Sequence, residues 1–213
     1  VLTKIIIEKN QTINYNQKPL VMMGEKLLLK LLTINGKEIL PKHYNLTQTS
    51  LVINPNYIPK NKFEWIAETE INAKDNLSLE GLFLSDGIFC TQCEPEGFRK
   101  ITYFPDRPDV LATYTVNIEG NYTCLLSNGN LRNSGNNWAE WHDPWPKPSY
   151  LFALVAGDLE YCEDTFITIS VIIQDYLHHI SSRSQILFKS LSQSSATTVL
   201  RSLMSWPRSS ILK

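Results

Sequence analysis

The sequence predicts an all-β chain whose strands run mostly antiparallel. Apolar runs of strand length alternate with turn signals along most of the 213 residues. Two of the turns carry residue pairs typical of tight hairpins, and helical periodicity is weak before residue 172. This spacing favours an antiparallel sandwich or curved sheets over a fold that alternates parallel strands with helices.

The hairpins are indicated by their turn residues. Asn35-Gly36 separates two short apolar runs, and Asp86-Gly87 separates two more. Asn or Asp followed by Gly accepts positive φ at both central positions, which a two-residue hairpin loop requires. The strands predicted along the chain cover residues 27–33, 37–40, 63–71, 77–84, 88–93, 98–104, 112–118, 124–126, 138–141 and 150–156.

Composition narrows the class of protein. Apolar residues make up 43% of the chain, and 20 basic against 21 acidic side chains give a formal net charge of −1. That balance argues against a phosphate-neutralising or polybasic surface, and no apolar run approaches the roughly 20 residues of a membrane helix. We therefore expect a cytoplasmic chain that binds neither nucleic acid nor membranes. Because it begins at Val1 with no signal peptide, we also expect its start to be incomplete.

The charge changes abruptly near residue 170. Residues 171–213 carry five basic side chains and one acidic one, whereas residues 1–170 have a net charge of −5. The last 43 residues also contain eleven Ser and no Gly. We interpret residues 1–170 as a β domain and residues 171–213 as a tail of different character.

Cys90-Thr-Gln-Cys93 is a candidate for a metal site or a redox pair. A zinc site needs a second pair of ligands at suitable spacing, and Cys124 and Cys162 each stand alone. A redox pair is typical of a helix start, whereas this pair lies at a predicted strand. Buried structural cysteines are the favoured interpretation, and the sequence contains no HExxH pattern.

Two candidate binding surfaces remain. Trp138, Trp141 and Trp145 could form an aromatic surface for a partner or a glycan, although a spacing of three places the first two on opposite faces of a strand. Gln92 and Glu94 could hold an ammonium group through charge-assisted hydrogen bonds. A solvated acidic turn is the alternative for the second pair, and spacing alone leaves it open.

Three segments carry a family resemblance. They are LSLEGLFLSDGIFCTQCEPEGFRKITYFPDRPDVLATYTV at 77–116, LLSNGN at 125–130 and WPKPSYLFALVAGDL at 145–159. Together they resemble, in order and spacing, the amino-terminal β domain of the bacterial-type aminopeptidase N family of zinc metallo-aminopeptidases. The resemblance covers roughly residues 1–170 and ends where the composition changes.

The resemblance implies a saddle-shaped, mostly antiparallel β domain that packs on a thermolysin-like catalytic domain and caps its active site. It also implies that Gln92 and Glu94 bind the free α-amino group of the peptide substrate. Four other charged residues also match family positions and are interpreted as structural ion pairs and turn residues, namely Glu96, Arg99, Arg107 and Asp109.

The zinc-binding segments of the family have no counterpart here. We therefore expect a fragment without catalytic residues or a cofactor of its own, inactive alone, whose zinc would come from the missing catalytic domain. The alternative is a non-catalytic β-sandwich that serves as a binding or interaction module. For residues 171–213 the hypothesis is a frame-shifted or otherwise aberrant translation. The other interpretation is a genuine divergent tail, disordered or forming an amphipathic helix near residues 196–204.

Overall fold

The computed structural model describes residues 1–8, 18–167, 172–179 and 186–189. It confirms the all-β, antiparallel prediction, because these residues form strands and short 3-10 helices with no α-helix among them. None of the described elements is a helix long and apolar enough to cross a membrane. The chain divides into two compact units, Val1–Ala112 with Pro146–Leu154 and Thr113–Trp145 with Val155–Lys213.

The first unit contains two antiparallel sheets and a hairpin. Its strands are β1 (Leu2–Ile7), β2 (Leu20–Met23), β3 (Leu28–Ile34), β4 (Lys37–Glu38), β5 (Tyr44–Leu46), β6 (Ser50–Ile53), β7 (Phe63–Glu70), β8 (Gly81–Ser85) and β9 (Ile88–Gln92). One sheet has the order β1-β7-β3-β4 and the other the order β2-β6-β5. The strands β8 and β9 pair antiparallel as the hairpin. Short 3-10 helices lie at Pro41–His43, Pro55–Tyr57, Phe98–Lys100 and Ser149–Leu151.

Inward side chains from both sheets build the core of this unit. Residues alternate between buried and more exposed along β7, as its period of two predicts. Trp65 of β7 and Leu51 and Ile53 of β6 are fully buried. The whole cluster consists of Met22, Leu32, Ile34, Ile39, Leu51, Ile53, Phe63, Trp65, Ala67 and Tyr103. Removal of this apolar surface from water is the main force that holds the two sheets together.

Both predicted hairpin turns are present. Asn35 and Gly36 have φ of 49° and 72°, and they join β3 to β4. Asp86 and Gly87 have φ of 49° and 83° between β8 and β9. Positive φ at both central residues matches the twist of the flanking strands, which is why these residue pairs specify the turns.

The predicted strand over residues 98–104 is wrong. Residues Phe98–Lys100 form a 3-10 helix, and the Ile101 N–H donates to the carbonyl of Phe98 at 2.9 Å. The ring of Phe98 packs edge-on against Phe104 and Phe152, with 5.0 Å between ring centroids in each pair. The chain must turn to bring Phe98 and Phe104 together, so aromatic packing overrides the local strand pattern.

The second unit is also made of antiparallel strands. The strands wholly or mostly within it are β10 (Leu111–Glu119), β11 (Cys124–Ser127), β12 (Asn130–Gly135), β13 (Trp138–Pro148), β14 (Leu154–Gly157), β15 (Glu160–Ile167), β16 (Ile172–His179) and β17 (Ile186–Lys189). Two three-stranded sheets have the orders β10-β13-β12 and β15-β16-β17. The predicted strand at 150–156 begins only at Leu154, because a 3-10 turn precedes it.

Part of the predicted tail is described. The strands β16 and β17 fall within residues 171–213, and β16 pairs antiparallel with β15 from Glu160↔His179 to Ile167↔Ile172. The helix considered for residues 196–204 lies outside the described residues.

Leu51→Ala tests the core of the first unit. Its side chain is fully buried, so truncation removes apolar contacts and leaves a cavity in the first unit. We expect the free energy of unfolding in urea to fall by about 2–5 kcal/mol. Val21→Ala on the neighbouring strand β2 is the matched control, because Val21 is 44% exposed and should cost much less. Equal losses in the two variants would contradict this description of the core.

Candidate functional site

The two predicted binding residues lie together at the end of the β8–β9 hairpin. Gln92 is the last residue of β9, Glu94 follows two positions later, and both side chains are exposed. The Gln92 side-chain nitrogen donates to the backbone carbonyl of Glu94 at 3.1 Å. That bond uses the amide nitrogen, so the side-chain oxygen of Gln92, a hydrogen-bond acceptor, is left two residues from Glu94 in the chain.

Glu94 differs from the acidic side chain that follows it. Among the described residues, no Lys, Arg or His nitrogen lies within 4.0 Å of its carboxylate. Glu96, on the other side of Pro95, pairs with Arg99 at 3.1 Å. The peptide bond between Glu94 and Pro95 is cis. An exposed carboxylate without a cationic partner can accept hydrogen bonds from an external ammonium group.

The loop that carries Glu94 closes tightly on itself. The Gly97 N–H donates to the Cys93 carbonyl at 2.8 Å. A Cβ at Gly97 would collide with the Gln92 carbonyl oxygen and would lie 2.9 Å from both the Cys93 Cα and the Gly81 nitrogen. Position 97 therefore requires glycine because the neighbouring backbone leaves no room for a Cβ. Its φ of −78° is open to any residue, so backbone conformation is not the reason.

A buried ion pair anchors the residues that follow this loop. The Asp106 side chain is 2% exposed and that of Arg99 12%. Asp106 Oδ2 accepts from Arg99 Nε at 3.0 Å and from the Arg99 backbone N–H at 3.1 Å, and the Asp106 carbonyl accepts from Arg99 Nη2 at 2.9 Å. Asp106 Oδ1 is hydrogen-bonded to the hydroxyl of Ser149. Both carboxylate oxygens are thus satisfied, as a buried charge requires.

The predicted structural ion pairs are present. Arg99 contacts Glu96 as well as Asp106, and Arg107 Nε donates to Asp109 Oδ1 at 2.9 Å. The hydrogen bond from Arg107 lowers the pKa of Asp109 below its ordinary value. This second pair is far more exposed, with side-chain exposures of 59% and 64%. The sequence alone does not single out Asp106, because a Pro-Asp pair such as Pro105-Asp106 is typical of an ordinary turn.

A second loop ends beside the first. Gly81 begins β8 and pairs directly with Gln92 across the hairpin, so residues 72–80 arrive at the same end as the Gln92–Glu94 loop. This second loop exposes two large apolar side chains, Leu77 at 90% and Leu79 at 56%. Two large apolar side chains exposed two positions apart on an ordered segment indicate a candidate contact surface.

Hydrogen bonds order the second loop. The Asn76 side-chain nitrogen donates to the carbonyl oxygens of Glu80 at 2.7 Å and Leu82 at 2.9 Å. Glu80 also forms an ion pair with Lys100, and the hydrogen bond from Lys100 lowers the pKa of the Glu80 carboxyl group. Because Lys100 follows Arg99 directly, the two loops are tied to the same short segment of chain.

Burial disfavours the thiolate form of the two cysteines near the site. Cys90 lies on β9 and Cys93 is 3% exposed. Burial, reinforced by the nearby negative charge of Asp106, raises the pKa of Cys93 to about 12. Burial also raises the pKa of Cys90. Thiolates are the nucleophiles and metal ligands, so these neutral thiols fit the structural interpretation.

No metal-binding group is found in the part of the chain that the structure describes. Nowhere in it do three His, Cys, Asp or Glu side chains stand close enough to hold an ion. These residues therefore do not fit the zinc that the family resemblance implies. The expectation that its ligands lie in a separate catalytic domain stays a prediction.

The three Trp residues do not share one surface. Trp141 is 7% exposed, and its Nε1 donates to the Leu125 carbonyl at 2.8 Å. Trp138 and Trp145 are 36% and 52% exposed. The prediction that at least one of the first two belongs to the core is confirmed, and the buried Trp141 interrupts a continuous aromatic surface.

Comparison with known sequences places these features in context. Residues 4–151 match the family described as the peptidase M1 N-terminal domain. Aminopeptidase N of Caulobacter vibrioides is 50% identical over 160 residues, which cover 72% of this chain and 18% of the relative. Aminopeptidase N of Haemophilus influenzae is 42% identical over 170 residues, covering 76% and 19%. The chain thus spans less than a fifth of the length of these curated relatives.

Solved structures agree in fold. Legionella pneumophila aminopeptidase A in complex with aspartic acid superimposes with a TM-score of 0.78 at 33% identity, covering 86% of this chain and 22% of that one. An M1 zinc metallopeptidase from Deinococcus radiodurans gives a TM-score of 0.62 at 16% identity, over 89% of this chain and 46% of that one. The second likeness shows a shared fold alone.

The raised pKa of Cys93 predicts how stability depends on pH. Above the ordinary thiol pKa of 9.0 the unfolded chain loses a proton that the folded chain retains up to about 12. The free energy of unfolding should therefore fall through this range, by at most about 1.4 kcal/mol per pH unit from this thiol. Urea unfolding at several pH values should show a shallower decline for Cys93→Ala than for the unaltered chain. Identical slopes would contradict the assignment.

Proposed function

The chain belongs to the family of peptidase M1 N-terminal domains, and from this premise we propose that it is the capping and substrate-recognition domain of a zinc aminopeptidase. The parent enzyme would remove single amino acids from the free N-terminus of peptides. In this arrangement the present chain recognises the N-terminal ammonium group, and a catalytic domain carries the zinc and the hydrolytic step.

One observation carries the recognition role, namely that the Glu94 carboxylate has no cationic partner among the described residues, while the Gln92 amide nitrogen is bonded to the Glu94 backbone carbonyl. An ionised carboxylate and an amide oxygen are both acceptors, and an ammonium group offers three donors. Charge-assisted hydrogen bonds of this type are about twice as strong as neutral ones. The pair therefore favours a protonated amine over the amide nitrogen of an internal peptide bond.

The same geometry accounts for selectivity at a peptide end. A substrate whose ammonium group is held at Glu94 has its first peptide bond at a fixed distance from that anchor, so cleavage is restricted to the first residue. In the related Legionella enzyme the crystallised ligand is aspartic acid, which is an α-amino acid. That ligand is consistent with a family site built to hold a free amino acid, and we extend the ligand class to this chain.

The capping role rests on the neighbouring loop. Leu77 and Leu79 present apolar surface to solvent at the same hairpin end as Gln92. We propose that this surface packs against the catalytic domain and so brings Glu94 to the active site. Burial of these two side chains would contribute roughly 1.5–3 kcal/mol each if it were complete.

Catalysis would depend on residues outside this sequence. It contains no HExxH, the helical pair that binds zinc with a Glu between as base. When bound in the parent enzyme, zinc would polarise the scissile carbonyl and activate a water molecule. We propose that this chain alone has no peptidase activity. The cytoplasmic location and the aberrant origin of residues 171–213 also stay predictions.

A second candidate function is a non-catalytic binding module. Trp138 and Trp145 are partly exposed, and such side chains can stack on a sugar ring or a partner's apolar surface. The buried position of Trp141 reduces the surface available to such a ligand. For this reason the amine-recognition role is favoured.

Glu94→Gln tests amine recognition directly. In an NMR titration with L-alaninamide, the unaltered chain should bind weakly, and this variant should weaken binding about tenfold because the charge-assisted bond is lost. Glu38→Gln, which removes an exposed carboxylate from β4, should leave binding unchanged. N-acetyl-L-alaninamide, which lacks the amine, should not bind. Equal binding to Glu94→Gln and the unaltered chain would refute the proposed role of Glu94.

The proposed inactivity has a simple assay. The purified chain should release no chromophore from L-alanine p-nitroanilide, with or without added zinc, because its sequence contains no HExxH pattern to bind zinc and supply a base. A full-length aminopeptidase N of a relative, assayed in parallel, serves as the positive control. Zinc-dependent turnover that is abolished by a chelator would overturn the proposal.

A further inference from the structure

We propose that Arg99, anchored on the buried carboxylate of Asp106, is the positioning residue of the Gln92–Glu94 loop and that its ion pair with Glu96 leaves Glu94 free for an ammonium group. This inference rests on the proposed function, because it explains how the amine-binding carboxylate is held and kept unpaired. Arg99 would contact no substrate and would act only through the loop.

The anchor fixes the direction of the Arg99 side chain. Three donors of Arg99 point at Asp106: Nε, Nη2 and the backbone N–H. Asp106 is held in turn by the Ser149 hydroxyl. With both the backbone and the guanidinium of Arg99 bound to one buried residue, the remaining nitrogen, Nη1, has a defined position. That nitrogen contacts Glu96 at 3.1 Å.

The contact with Glu96 ties the loop to the anchor. Glu96 lies between Glu94 and Gly97, the residue whose N–H closes the loop onto Cys93. One end of the loop is fixed by the strand β9 and the other by the 3-10 helix that contains Arg99. The Arg99–Glu96 pair adds a restraint from the side, so that the segment with Glu94 cannot pivot about its two ends.

The charges explain why Glu94 remains available. Among the described residues, Arg99 is the cation that forms an ion pair with a carboxylate of this loop, and it is bound by Asp106 as well as Glu96. If Glu96 released it, Glu94 would be the other carboxylate of the same loop able to compete for the guanidinium. An internal ion pair at Glu94 would have to be broken before an ammonium ligand could bind, which would lower the affinity.

This pairing of one side chain with both Asp106 and Glu96 requires arginine at position 99. The planar guanidinium carries five N–H donors in a fixed fork, which lets one side chain serve Asp106 and Glu96 at once. Lysine keeps the charge but offers a single point of attachment. Arg99→Lys should therefore retain the buried ion pair with Asp106 and lose the ion pair with Glu96. The variant keeps the positive charge, so any effect reports on the positioning of the loop.

The experiment uses the full 213-residue chain in three variants. In Arg99→Lys, hydrogen exchange of the Gly97 amide should accelerate about tenfold, because the loop opens more often. Binding of L-alaninamide should weaken about threefold to tenfold. Arg107→Lys, which alters the exposed pair with Asp109, is the matched control and should change neither quantity.

Glu96→Gln tests the second part of the proposal without disturbing the Asp106 anchor. It should weaken L-alaninamide binding about threefold or more, because Arg99 is released toward Glu94. Glu80→Gln is the charge-matched control, since it removes a carboxylate from the neighbouring loop but leaves Arg99 bound as before. Equal weakening in both variants would mean that net charge alone acts, and would overturn this part of the proposal.

The outcomes separate this inference from the proposed function. If Glu94→Gln binds L-alaninamide as well as the unaltered chain does, amine recognition at Glu94 is refuted. Hydrogen exchange of the Gly97 amide in Arg99→Lys then still tests whether Arg99 positions the loop. If Glu94→Gln loses binding but Arg99→Lys matches Arg107→Lys in both measurements, the positioning role is overturned. If Arg99→Lys does not fold, Glu96→Gln decides the question, because it leaves the buried pair intact.

Discussion

The buried pair of Arg99 and Asp106 is the interaction on which the arrangement around the site depends. It joins three segments of the first unit, since Arg99 lies in a 3-10 helix, Asp106 follows Phe104, and Ser149 comes from a distant part of the sequence. An ion pair at this depth is costly to desolvate and holds only when its remaining oxygens and protons are also bonded. Here both carboxylate oxygens of Asp106 accept hydrogen bonds, so the pair fixes geometry in a way that surface ion pairs do not.

Two loops lie at one end of the β8–β9 hairpin. The register that pairs Gly81 with Gln92 places an ordered loop with exposed leucines beside an acidic loop with an unpaired carboxylate. Apolar surface suits contact with another domain, and a free carboxylate suits contact with a cation. Membership of the peptidase M1 N-terminal domain family gives both features a place in one proposed function, which is to cap a catalytic domain and hold the N-terminus of its substrate.

Much of this could be predicted from the sequence, and the misses have physical causes. The turns at Asn35-Gly36 and Asp86-Gly87 are specified by local backbone preference, so both hairpins were predicted. The segment after Phe98 was predicted as a strand, because its packing partners are distant in sequence and local pattern cannot report them. Asp106 is not singled out by the sequence for the same reason, since its bonds to Arg99 and Ser149 in the folded chain are what distinguish it from an ordinary turn residue. The binding role of Gln92 and Glu94 is implied by the family resemblance and stays a proposal, while spacing alone leaves it undecided.

Amine recognition requires that a fixed loop offers Glu94, and no other carboxylate, to an ammonium group. A crystal structure of the chain grown with L-alaninamide tests it most directly. The ligand nitrogen should lie within about 3.2 Å of the Glu94 carboxylate and the Gln92 amide oxygen, with Arg99 still bound to Asp106 and Glu96. A ligand nitrogen seated on Glu96, or an Arg99 guanidinium found on Glu94, would contradict it.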